Sequence, residues 1–182
     1  MAVTRRNTFL QRLIGAAALD AAIYEEVEAD ASATSQAFAV VLLSSIAAGF
    51  GAGDLRGPSI ASVVFISVLA LLSWAAWAVV TLEVGTRILP GAQTRADVGQ
   101  LLRTIGFAST PGLLRFLGMM PSATVPVFAV TSVWMLAAMV VAVRQALDYQ
   151  STGRAVAVCA LGWILALILA IGLGVLFGPS VQ

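Results

Sequence analysis

Ile60–Leu82 runs IASVVFISVLALLSWAAWAVVTL, 23 consecutive residues without an Asp, Glu, Lys or Arg. An α-helix needs about 20 apolar residues to cross a hydrocarbon core of about 30 Å, so this stretch alone places the chain in a membrane. Ala123–Val143 and Ala155–Phe177 are just as free of charge. Across the 182 residues, 60% are hydrophobic and the mean hydropathy is +0.98, above the apolar share of a soluble domain. The fold class follows: an all-α polytopic membrane helix bundle. Its predicted parts are a cytoplasmic or interfacial region over 1–32 and a transmembrane domain over 33–182.

Working outward, Ala33–Phe50 gives a first span ended by Gly49, Gly51 and Gly53, and Pro58–Leu89 a second, with Pro58 in the first turn where a missing N–H does no harm. Thr124–Leu147 and Arg154–Phe177 give the fourth and fifth. The third, Arg103–Met120, is less regular, because Pro111-Gly112 interrupts it and Arg115 lies inside it. Arginine placement decides its reading. If it spans and the N-terminus is inside, the inner loops hold Arg5, Arg6, Arg12, Arg87, Arg95, Arg103, Arg144 and Arg154, and the outer side only Arg56 and Arg115. The positive-inside rule then favours five spans, N-terminus cytoplasmic and C-terminus outside, as a multi-pass membrane protein. A re-entrant third segment is the alternative.

Ahead of the spans, residues 4–28 carry Phe9, Leu10, Leu13, Ile14 and Ala17 at helical spacing, with Arg5, Arg6 and Arg12 on the polar side. That pattern predicts one interfacial amphipathic helix whose arginines meet anionic headgroups. Asp30 or Ser32 is then placed to cap the first span. Residues 1–36 have no compact apolar h-region, so a cleavable signal peptide is not expected.

Composition excludes much chemistry. There is no His and no Lys. His-ligated haem, HExxH zinc, His-assisted nucleophiles, a P-loop lysine and Schiff-base chemistry therefore have no residues to use. The single cysteine, Cys159, falls in mid-span and is read as a small apolar side chain. With net charge +1 and dispersed arginines, no nucleic-acid partner is expected. No metal and no cofactor is expected, and the chain is read as a non-enzyme.

A few groups remain as candidates. Glu83–Arg87 and Arg144–Asp148 are i,i+4 pairs, read first as local salt bridges; alternatively Glu83, Arg87, Arg103 and Arg144 converge with the acidic patch on an inward polar site. Glu25, Glu28 and Asp30 supply oxygen ligands suited to a hard cation, with a solvated acidic face as the plainer reading. Pro111 and Arg115 mark the interrupted third span, where a broken helix exposes carbonyls and a simple kink has the same residues. Gly162, Ala166, Ala170, Gly174 and Gly178 repeat every four residues, a face for close helix contact within the chain or between copies.

Several landmarks resemble the prokaryotic Yip1 domain family. They are Tyr24-Glu25-Glu26-Val27-Glu28-Ala29-Asp30 with Gln36-Ala37, then Leu102 through Gly112, then Trp134 followed by Ala142 through Tyr149. Over residues 20–177 the resemblance implies a five-span bundle with a cytoplasmic N-terminus. Eukaryotic members act in vesicle traffic and bind prenylated GTPases, but this chain lacks the long hydrophilic N-terminal region of many of them, so that role does not carry over.

Three functions compete. The favoured one is a non-enzymatic membrane protein that organises lipids or partner proteins, as an accessory subunit of a larger complex or as a homo-oligomer, with membrane lipids and a protein as partners. The alternative is a small transporter, channel or lipid flippase using the Pro111-kinked span, which requires a hydrated cavity lined by Pro111, Arg103, Arg115 or Glu83. A third, an intramembrane enzyme, would have to draw on Glu25, Glu28, Asp30, Glu83 and Asp97.

Overall fold

A computed structural model describes residues 7–52, 59–120 and 122–177, and among them every regular element is helical. Three helices are long and apolar enough to cross a membrane: α3 (Ala33–Ala52), the run Ile60–Ile88 that begins with α4 (Ile60–Glu83), and α6 (Thr124–Ala146). A fourth long helix, α7 (Thr152–Phe177), has side chains described through Leu165 and at Ile168. Arg5, Arg6, Gly53, Arg56, Pro58 and Gly178 lie outside the described residues, as do the side chains of Ala166, Ala170 and Gly174.

The N-terminal region departs from the expected single helix. Two short helices form a hairpin, α1 (Phe9–Ala17) and α2 (Ala21–Ala29). Thr8 and Gln11 close a capping box at the start of α1, and the Asp20 side chain accepts from the Ala22 N–H to start α2. Between them Leu19 takes φ 62°, which turns the chain back. Arg12 also does not face outward to headgroups as expected. Arg12 is only 2% exposed, while Leu10 and Ile14 are 65% and 62% exposed. Nor does the hairpin stay at the helix ends. The Trp134 indole donates to the Ala17 carbonyl at 2.7 Å, 12 residues before α6 finishes, or about 18 Å along its axis. Tyr24, Val27, Ala37, Val40, Phe107, Ala138 and Ala142 fill the core between hairpin and bundle.

Just ahead of α3, the Asp30 Oδ1 accepts from the N–H and hydroxyl of Ser32. α4 begins at a Ser59 cap and ends in a π-helical turn, Val84–Ile88. In that turn the Leu89 N–H goes to Val84 O, which leaves the Gly85 carbonyl without its ordinary α-helical donor. The next donor along would be residue 90, and Pro90 has no N–H. The Tyr149 hydroxyl fills the gap, 2.9 Å from Gly85 O and 2.7 Å from Leu89 O.

The interrupted third segment is two elements. α5 (Val98–Ala108), started by an Asp97–Gln100 capping box, gives way at Ser109 to a 3₁₀ helix, Thr110–Met119, with Pro111 in its first turn. This pair runs beside α3 over most of its length. Gly106 faces Ala37, Gly112 faces Ser44, and Gly118 faces Gly51. A methyl on Gly51 would fall 1.8 Å from the Arg115 carbonyl oxygen, so the two backbones touch. Between Ala37 and Gly51 α3 rises about 21 Å, and α5 with the 3₁₀ helix keeps pace with it in the same direction.

Candidate functional site

One end of the bundle gathers most of the described charge. It is built from α1–α2, the start of α5, the loop 89–97, and the turn between α6 and α7. At its base Arg12 donates to Glu26 at 2.8 Å, Asp30 at 2.7 Å and Gln36 at 2.9 Å, an ion-paired knot joining α1, α2 and α3. Asn7 adds hydrogen bonds to the same Glu26 carboxylate. Burial pushes the Glu26 carboxyl up, but the bonds from Asn7 and Arg12 outweigh it and hold it below the usual range. For Arg12 burial works against the charged form, and the two carboxylates more than offset it.

Arg103 is buried and points at backbone. Its guanidinium donates to the carbonyls of Val27 and Glu28, satisfying the last carbonyls of α2. Arg144 donates to the Tyr149 carbonyl at 3.2 Å. Its expected salt bridge with Asp148 does not form, because α6 stops at Ala146 and Asp148 turns away at φ 51°. Glu83 and Arg87 do pair, at 2.9 Å on an exposed surface, and take no part in the polar cluster. The expected convergence is therefore partial: Arg103 and Arg144 reach the acidic patch, and Glu83 and Arg87 do not.

Above this base lies an open cavity of about 490 Å³, lined by Glu25, Glu28, Gln100, Arg144, Gln145 and Asp148, among others. Gln145 donates to Glu25 and Gln100 to Glu28. Burial pushes the Glu28 carboxyl up to about 7, helped by the nearby charge of Asp148 and opposed by Arg103. Asp30 belongs to the Arg12 knot instead, and among the described residues no three carboxylates, histidines or cysteines are grouped to hold a metal. The glutamines and Tyr149 carried no catalytic or ligand signature in sequence; their position at helix ends, and for Gln145 and Tyr149 the Ala142–Tyr149 landmark, distinguished them.

A second cavity, about 470 Å³, lies inside the apolar body among α3, α4, α5, α6 and α7. Ser44, Ser45, Ser73 and Ser109 line it, with Arg115 on one side and Trp74, Trp77 and Trp163 among its walls. Arg115 donates to the hydroxyls of Thr131 at 3.3 Å and Ser132 at 3.0 Å, with its guanidinium 5.2 Å from the Phe128 ring centre. No carboxylate among the described residues pairs with it. Of the residues expected around such a cavity only Arg115 is there; Pro111 is buried in packing, Arg103 is bound to α2, and Glu83 is on the surface. Gly162 packs on the Trp77 ring, so at that position the small-residue face of α7 serves a contact within the chain.

Residues 21–173 match the family profile of the Yip1 domain. The chain belongs to the Yip1 domain family. No curated protein and no solved structure matches it. With its long apolar helices, this Yip1 domain protein is a multi-pass membrane protein.

Proposed function

We propose that this Yip1 domain protein is a non-enzymatic protein of a prokaryotic inner membrane that organises partner proteins or lipids, with its polar end as the cytoplasmic docking face. The observation that carries the reading is how the charges are divided. Arg12 and Arg103 are taken up by internal contacts, whereas Glu25, Glu28 and Asp148 border an open cavity in which Arg144, bound to the Tyr149 carbonyl, is the one lining arginine. A partner with basic and amide groups fits that rim.

Five crossings are part of the proposal. The register of Gly106, Gly112 and Gly118 along α3 supports a third segment that travels from one end of the bundle to the other. Arg12, Arg87, Arg103, Arg144 and Arg154 sit at or near the polar end, which by the positive-inside rule supports a cytoplasmic polar end and a C-terminus outside. Single cysteines at positions 97, 150 and 180, in a Cys159→Ala background, test it. Positions 97 and 150 should label from the cytoplasm and 180 from outside; cytoplasmic labelling of 180 would overturn five crossings. Photo-crosslinkers at Gln93 and Gln150 should give one discrete adduct in native membranes. A chain that stays monomeric and uncrosslinked at every polar-end position would count against the docking reading.

The second reading, a small transporter, channel or flippase, draws on the cavity that Arg115 lines. Flux or lipid scrambling by purified protein in liposomes, abolished by Arg115→Gln, would favour it over the first.

A further inference from the structure

The apolar-body cavity deepens the lipid half of that proposal and rests on it. We infer that the cavity is a binding cleft for one anionic phospholipid from the surrounding leaflet, with Arg115 as the headgroup contact. Two of the five guanidinium N–H groups go to Thr131 and Ser132, and three have no acceptor among the described residues. Hydroxyls solvate a cation but do not neutralise it, and a lone arginine among apolar helices is costly without an anion. The cleft is not sealed. Its lining residues Ile66 and Trp163 are 41% and 57% exposed, so it opens onto the surface that faces lipid. Its volume falls within the usual range for small-ligand sites, about 300–1,000 Å³.

The lining fixes the chemistry of the occupant. Ser44, Ser45, Ser73 and Ser109 line the cleft along with Arg115, giving hydroxyls suited to phosphate or glycerol oxygens. Val41, Ile66, Met139 and the indoles of Trp74, Trp77 and Trp163 make the remainder apolar. A free anion would leave that surface bare, and a neutral lipid would leave Arg115 uncompensated. An anionic head on an acyl chain satisfies both.

The tryptophans supply the test. Three of the four line the cleft, and Trp134 does not. Full-length Trp134→Phe protein is placed in phosphatidylcholine vesicles containing either phosphatidylglycerol or phosphatidylcholine with brominated chains, and the quenching of tryptophan fluorescence is titrated. The anionic lipid should bind about fivefold more tightly, the worth of one arginine beside an anionic headgroup. Arg115→Gln should remove the preference, Arg115→Lys should retain it, and Arg87→Gln, far from the cleft, should leave it unchanged. Ala70→Phe, which fills the cleft, should weaken quenching by both lipids. Excess inorganic phosphate should not compete. Equal quenching by the two lipids, a preference that survives Arg115→Gln, or displacement by phosphate would each overturn the inference. Cysteine labelling reads the number of crossings without touching the cleft, so a failure of the five-span reading shows itself separately.

Discussion

The polar end and the apolar body of this bundle are held together by opposite means. At the polar end long side chains reach across gaps: Arg12 ties three helices, Arg103 covers the carbonyls of α2, and Tyr149 occupies a carbonyl left open by a π-helical turn. In the body, missing side chains do the work, with Gly51, Gly106, Gly112 and Gly118 letting the third segment lie directly on α3. The difference follows the solvent. Lipid tails are as apolar as leucine, so burial gives helices no reason to associate there, and close van der Waals packing supplies it. Where water reaches, only fully satisfied charge fixes a single arrangement.

The sharpest way to break the polar end is Arg12→Ala. It leaves Glu26 and Asp30 without their shared cation, and Arg12 is nearly fully buried. Removing one member of a buried pair costs about 3–5 kcal/mol, and the low end applies because Glu26 is partly exposed. Reversible unfolding in mixed detergent should show it. Gly51→Ala is the matching test of the body. Its methyl meets backbone, which does not move aside, so about 3 kcal/mol is expected. Gly162→Ala meets the Trp77 ring at 2.9 Å, which shifts more easily, and should cost about 1 kcal/mol.

Acidity separates the two regions further. The Glu28 carboxyl is raised from 4.5 to about 7 in the folded protein, so the folded state holds its proton more tightly than the unfolded chain does. Its contribution to stability is complete below about 4.5 and is lost as pH rises through about 7. Glu28→Gln should flatten the stability profile in that window and leave it unchanged elsewhere; a slope that persists would assign it to another group. The smallest effect belongs to Glu83→Gln. That pair is exposed, and its loss should change stability by less than about 0.5 kcal/mol.

The membrane class and the long helices were legible because uncharged runs of that length have one stable use. α3, α4, α6 and α7 fall within a few residues of the expected bounds where both are described. The third segment was legible as a segment but not as a 3₁₀ helix, since the summed hydropathy that marks a span does not distinguish about 3.0 from about 3.6 residues per turn. The N-terminal hairpin was misread for a physical reason. Helical spacing identifies which residues share a face but not which face points inward, and Arg12 faces in because Glu26, Asp30 and Gln36 wait for it. Of the candidate site, Glu25, Glu28, Arg103 and Arg144 were found as charges near helix ends, while Gln100, Gln145 and Tyr149 gave no such signal. The Arg144–Asp148 pair failed because i,i+4 spacing holds only while the helix continues.

The bond from Trp134 to the Ala17 carbonyl also sets an order of events during synthesis. Its partners lie 117 residues apart, and Gln145 and Glu25 lie 120 apart. The Arg12 knot needs no residue beyond Gln36 and can close while most of the chain is still unmade, whereas Arg103 and Phe107 complete the packing of the hairpin later. Its latch arrives only when the helix carrying Trp134 leaves the insertion machinery. A nascent chain stopped before that helix would therefore hold a closed Arg12 knot but lack both the Trp134 latch and the Ala138 and Ala142 side of the core around Tyr24 and Val27.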